Sequence, residues 1–174
     1  MPSKYLRLIS ILLVSASLSA CQYLQKSLGD KITGKWTVNE QFTEDNLTVS
    51  VKGIDEYFPT RTENSTGTVE MDGTGEGGKL HASIEYSVTQ EWLVKDKILY
   101  EKITDSQLDF KSITLNGVEV KGESRDGFIK AVQGGFLKGK TDKVVTISID
   151  AKTWVQEQQD DDGKKRTYKY TRIE

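Results

Sequence analysis

Apolar and polar residues alternate with period two through most of the chain after Gly34. Trp36, Val38 and Phe42 share one parity, with Thr37, Asn39 and Gln41 on the other and Glu40 interrupting the apolar side. Leu47, Val49 and Val51 alternate with Thr48, Ser50 and Lys52, and Val69 and Met71 resume the pattern. The clearest run sets Leu80, Ala82, Ile84, Tyr86, Val88 and Trp92 against His81, Ser83, Glu85, Ser87, Thr89 and Glu91. Strict alternation over that length predicts a half-buried strand rather than a helix. After a turn at Lys95-Asp96-Lys97 the pattern returns from Ile98 to Ile103. Two weaker strands are expected at 108–115 and 118–123, around the hairpin dipeptide Asn116-Gly117. Val144 to Ile149, Thr153 to Gln158 and Lys165 to Ile173 predict three more, joined by Asp150-Ala151-Lys152 and Asp161-Asp162-Gly163. Polar stretches at 53–66 and 72–79 read as long loops.

One segment departs from period two. Phe128, Ile129, Val132, Phe136 and Leu137 fall on one face of a helix, which predicts a short helix or apolar loop near 128–137, weakened by Gly134 and Gly135. The rest is a series of strands joined by short turns. Such a series closes into a barrel or folds into a sandwich, because an open sheet leaves long unpaired edges. The expected fold is all-β, an antiparallel meander forming a barrel of about 8–10 strands.

The first residues follow another pattern. Lys4 and Arg7 precede an uncharged run of 13 residues from Leu8 to Ala20. A basic start, a short apolar run and small residues before a cut form a secretory signal. A spanning helix needs about 20 apolar residues, so this run is too short for a permanent anchor. The run ends Leu18-Ser19-Ala20-Cys21, which resembles the lipobox of bacterial lipoproteins. The resemblance implies cleavage before Cys21, a diacylglyceryl group on its thiol and an acylated amino group, palmitate being a typical chain. Two or more acyl chains hold a protein stably at a membrane, whereas one does so only marginally. Gln22 stands where an aspartate often marks inner-membrane retention in Gram-negative lipoproteins. The resemblance therefore implies the outer membrane, on its periplasmic face. The expected organisation is a signal peptide at 1–20, a lipidated cysteine and short tether at 21–33, and a single domain at 34–174.

Removing residues 1–20 leaves 154, enough for one domain with a sizeable core. Cys21 is the only cysteine, so the domain relies on packing rather than disulfides. The signal holds Lys4, Arg7 and no acid, so the remainder carries 22 basic and 26 acidic residues, a formal charge of −4. No basic patch is present for nucleic acid, and no polybasic stripe for anionic lipid.

Catalytic signatures are scarce. His81 is the only histidine, and it sits on the polar parity of its strand, facing solvent. A zinc site wants several histidine or cysteine ligands, which the chain lacks. Gly73, Gly75 and Gly78 match a phosphate-loop spacing in form, but a strand follows instead of the helix that such a loop requires. Asp160-Asp161-Asp162-Gly163 does not follow EF-hand spacing, and Lys164, Lys165 and Arg166 follow it, so it reads as a solvated turn. Paired carboxylates are the machinery of glycosidases, but 26 acids offer many pairs and the sequence singles out none. No enzyme activity, cofactor or metal is expected.

Ile32-Thr33-Gly34-Lys35-Trp36 opens the strand series, and Tyr168-Lys169-Tyr170-Thr171-Arg172-Ile173 ends it. Gly-x-Trp at the first strand with a late arginine resembles the lipocalin superfamily and the lipocalin-like domains of bacterial lipoproteins. The Thr-Asp-Tyr motif of lipocalins appears only as Thr104-Asp105-Ser106. The resemblance implies that Trp36 plugs the barrel base and that Arg172 stacks over its ring. It further implies a cup for a small apolar or amphipathic ligand, with Tyr86, Trp92, Tyr168 and Tyr170 as candidate contacts on the inward parity. The alternative is a filled barrel that contacts an envelope protein through its loops, with Tyr57, Phe58 and Pro59 as candidate contacts.

Overall fold

A computed structural model describes residues 27–75, 77–159 and 163–173. Nine antiparallel strands follow in order: β1 (Gly34–Glu44), β2 (Leu47–Tyr57), β3 (Thr62–Gly75), β4 (Gly78–Lys95), β5 (Ile98–Leu115), β6 (Val118–Glu119), β7 (Thr141–Ile149), β8 (Thr153–Gln159) and β9 (Lys165–Ile173). Each barrel strand pairs with the one before it, β5 passes to β7, and β9 returns to β1 with Trp36 opposite Arg172 and Val38 opposite Tyr170. Eight strands thus close a barrel, and β6 lies outside it on the far end of β5. Closure removes the free edges that a strand series of this length would otherwise expose.

The turns match their residues. Asn116 and Gly117 both take positive φ, 53° and 77°, as a two-residue hairpin requires, and Leu115 pairs with Val118 across them. Asp96 and Lys97 do the same between β4 and β5, at 52° and 65°. The expected strand at 108–115 is the distal half of a continuous β5, and the expected strand at 118–123 ends after Glu119. Gly122, at φ 62°, breaks the extended backbone and opens a helix. The long loop expected at 53–66 is also replaced: β2 runs to Tyr57, β3 starts at Thr62, and Phe58 and Arg61 close a tight turn through backbone bonds. The stretch at 72–79 is likewise a hairpin, with Gly75 opposite Gly78.

Among the described residues, two α-helices accompany the strands. Helix α1 (Leu28–Ile32) falls in the expected tether and starts on a capping box, where Ser27 and Asp30 exchange side-chain-to-backbone bonds. Its Ile32 is fully buried and accepts a 2.6 Å bond from the Trp36 indole at its carbonyl. Around it pack Trp92, Leu99, Val144, Trp154 and Tyr170, so the main core is an aromatic floor at one end of the barrel. Helix α2 (Gly122–Gln133) begins earlier than the expected 128–137, and its last apolar residues continue as a 3-10 turn, Gly134–Phe136. The Phe128 ring meets Phe110 of β5 edge to face, and the Ser106 hydroxyl donates to the Phe136 carbonyl at 2.8 Å.

Candidate functional site

Above the aromatic floor the barrel is not filled. A cavity of about 270 Å³ lies in the lumen, and every one of the eight barrel strands contributes to its wall. Part of that wall is aliphatic: Val38, Val51, Val69, Val88 and Ile103. Gly135 and Phe136 line it from the 3-10 turn, with the Phe136 ring 6.3 Å from Tyr86.

The remainder is acidic. Asp55, Glu63 and Glu101, from β2, β3 and β5, are 5%, 1% and 4% exposed, and all three line the cavity. Parity explains their direction. Asp55 shares the inward face with Val51 and Tyr57, Glu63 with Ser65, and Glu101 with Leu99 and Ile103. Each carboxyl has neutral partners. The Tyr57 hydroxyl donates to Glu101 at 2.6 Å, the Ser65 hydroxyl to Asp55 at 2.5 Å, and the Gln90 amide to Glu63 at 3.1 Å. Among the described residues, no lysine or arginine forms an ion pair with any of the three.

Burial without a counter-charge disfavours ionisation. Burial pushes Asp55 up to about 6, with the Ser65 and Tyr170 hydroxyls opposing. Burial pushes Glu101 up to about 7, with the Tyr57 hydroxyl opposing and Asp55 adding repulsion. Glu63 is driven well above the usual carboxylate range by burial and by repulsion from Glu101 and Asp55. Tyr86 is pushed up to about 12, chiefly by burial.

The candidate contacts are now placed. Tyr86, Tyr168 and Tyr170 line the cavity. Tyr86 reaches across a glycine pair: Gly53 stands opposite Gly67, which stands opposite Tyr86. A Cβ on Gly53 would come within 2.3 Å of the Tyr86 hydroxyl, so the two glycines make the trough in which that ring lies. Trp92 belongs to the floor instead. It is 3% exposed, donates its indole N–H to the Thr62 carbonyl at 2.9 Å, and lies under the Arg61 guanidinium, 4.5 Å from the ring centre.

At the base, the Arg172 guanidinium stands 4.0 Å from the centre of the Trp36 ring. It also donates to the Thr33 carbonyl at 2.9 Å and to the Lys31 carbonyl, tying α1 to the floor. Trp36 is fully buried, and Trp154 meets it edge to face at 5.6 Å.

Other sequence candidates fall elsewhere. Tyr57 is 2% exposed and belongs to the carboxyl network, so it is not part of an exposed loop cluster. His81 lies on the outer face of β4, with Nδ1 2.9 Å from Asp72, while Ser83 donates to Glu70. Cys21 and the Asp160–Asp162 run lie outside the described residues. Among the described residues, no group of three or more histidines, cysteines or acids is arranged to hold a metal ion. Among them also, no helix is long and apolar enough to cross a membrane. No protein-family model matches the chain, and no curated protein matches it at a significant level.

Proposed function

We propose that the protein is a lipid-anchored lipoprotein of the outer membrane, on its periplasmic face, whose lipocalin-like barrel holds a small amphipathic ligand. The carrying observation is the lumen itself. Barrels of about eight strands either fill with side chains or keep room for one ligand, and this one keeps about 270 Å³. Its wall combines aliphatic residues with a few convergent polar groups, the usual make-up of a small-molecule site. The anchor rests on Leu18-Ser19-Ala20-Cys21. The role is binding rather than catalysis, so no turnover is expected.

Two measurements test this reading. Native mass spectrometry of the full chain, released gently from membranes of a Gram-negative host, is expected to show a reproducible small non-covalent adduct. Palmitate labelling and outer-membrane fractionation are expected in the parent and lost in Cys21→Ser. An apo mass that resists every small-molecule mixture offered would refute the cup. Unchanged labelling of Cys21→Ser would refute the anchor.

One observation favours a second reading, an envelope protein working through its outer surface. Leu93, Val145 and Ile147 remain 52%, 44% and 56% exposed on the outside of β4 and β7. Under that reading Ile147→Lys abolishes capture of an envelope partner. Under the first reading it leaves the ligand adduct intact.

A further inference from the structure

We infer that the occupant of the barrel cavity is a small organic cation, an ammonium group on a compact apolar body, received by Asp55, Glu63 and Glu101. The inference rests on the reading of the barrel as a ligand cup and specifies the class of ligand.

Three independent features point the same way. The first is charge. The acidic groups facing the lumen come from four strands: Asp55, Glu63, Glu101 and, nearer the surface, Asp142. Among the described residues, only Asp142 of these has an ion pair, with Lys140 at 3.8 Å. The other titratable groups on the wall are phenols, Tyr57, Tyr86, Tyr168 and Tyr170. Among the described residues, the lumen wall carries acids, hydroxyls and the Gln90 and Gln158 amides, and no lysine or arginine.

The second feature is hydrogen-bond capacity. A carboxylate offers about four acceptor sites, and a hydroxyl offers one donor. The Tyr57 and Ser65 hydroxyls already direct their hydrogens at Glu101 and Asp55. Once ionised, Asp55, Glu63 and Glu101 therefore offer more acceptor sites than the Tyr57, Ser65 and Gln90 donors directed at them can fill. An ammonium group is the complement, with three donors and no acceptor.

The third feature is an orphan. Gln156 is 1% exposed, and its side-chain oxygen is a buried polar atom with no hydrogen-bond partner. It points to the inside of β8, on the same face as Gln158 and opposite Tyr168, both of which line the cavity. A buried carbonyl without a donor is uncommon in folded proteins. It lies beside the lumen wall, next to two residues that line it, and there too an acceptor lacks a donor.

The acids are not arranged for a metal ion, which requires several of them to converge on one point. They ring a space with aliphatic walls instead. A cavity of about 150 Å³ admits benzene, so about 270 Å³ suits a ligand of roughly ten non-hydrogen atoms.

The test uses the full chain in mild detergent and matched probes: butyl-, hexyl- and phenethylammonium against the corresponding alcohols. Titration calorimetry at pH 8 is expected to give at least about tenfold tighter binding for the amine of a pair, as a charge-assisted bond to a buried acid requires. Repeated at pH 6, below the value of about 7 to which burial pushes Glu101, binding of the amine is also expected to release protons, seen as a heat that changes with the buffer, because that acid must ionise to receive it. The alcohol should show no such release. In Glu63→Gln and Glu101→Gln the preference is expected to fall to within about threefold, with alcohol binding retained as the sign of an intact barrel. Alcohols that bind as tightly as amines would overturn the cation and leave the cup standing. If neither series binds, the cup and the inference both fall. A preference that survives both substitutions would overturn the assignment of the receiving groups.

Discussion

Replacing Glu101 by glutamine should make the protein more stable at neutral and alkaline pH. The side chain sits in the lumen wall, 4% exposed, and accepts the Tyr57 hydroxyl at 2.6 Å. Burial moves its carboxyl from an ordinary 4.5 to about 7. The folded chain therefore binds this proton more tightly than the unfolded chain does. Between those two values the folded state carries more protons, so stability falls as pH rises. The contribution is fully present below about pH 4.5 and lost once pH has passed through about 7. At about 1.4 kcal/mol per tenfold difference in proton affinity, the whole effect is about 3 kcal/mol. Most of it falls between pH 5 and pH 8. Glutamine keeps an acceptor for Tyr57 and has no charge to bury. In urea denaturation the midpoint of Glu101→Gln should thus exceed that of the parent by about 1 M more at pH 8 than at pH 5, for a slope of about 2 kcal/mol per M. Comparing variant with parent at each pH cancels the surface acids. Glu44 and Asp150 have lowered values and lose their contribution only at acid pH. A variant that differs from the parent equally at pH 5 and pH 8 would show that Glu101 does not titrate in this window, and the uncompensated burial inferred here would be wrong.

Three other substitutions probe the frame around the cavity. Arg172→Ala removes a stacked cation and two bonds to carbonyls; a loss of about 2 kcal/mol is expected in urea unfolding, with increased acrylamide quenching of tryptophan fluorescence. Trp154→Ala empties the middle of the floor, where Trp36, Tyr57 and Tyr170 all meet the ring; about 3–5 kcal/mol should be lost in the same assay. Gly67→Ala places a methyl group 2.2 Å from the Lys52 carbonyl and 2.8 Å from the Tyr86 hydroxyl; the strained backbone should cost about 1–3 kcal/mol and weaken ligand binding as Tyr86 is displaced. A Gly67→Ala chain as stable as the parent would mean that the sheet has room there after all.

Some of this was readable from the residues alone, and the reason differs by region. Leu80 to Trp92 alternates cleanly because one face of β4 meets an apolar interior, so the pattern reports the fold directly. The two ends were readable through a family resemblance rather than from the residues alone, and Trp36 and Arg172 do stand opposite each other at the seam. The stretch at 53–66 misled for a physical reason. Alternation is recognised by apolar inward residues, and here the inward positions hold Gly53, Asp55, Glu63, Ser65 and Gly67. A polar interior gives the same composition as a loop. The overlooked signal was parity: Val49 and Val51 lead in step to Asp55 and Tyr57, while Leu99 and Ile103 flank Glu101. An acid in phase with buried residues marks a lumen rather than a break in the strand.

The same acids bear on why the cavity exists. Aliphatic residues at 55, 63 and 101 would fill the lumen and remove a cost that the fold carries at neutral pH. A buried charge without a partner is among the few single features that change stability by several kcal/mol. Sequences that break a local rule of this kind usually do so at a functional position. Here the rule is broken three times, from three strands, around one space. The floor uses only one of them: the Tyr57 hydroxyl, packed on Trp92 and Trp154, donates to Glu101, a bond that a neutral acceptor would serve as well. A cation entering that space would offset the burial of the charges that receive it. Occupancy and stability are then linked, each tenfold excess of ligand over its dissociation constant adding about 1.4 kcal/mol. The stabilisation should be greatest where the empty barrel is weakest, above the pH at which Glu101 ionises.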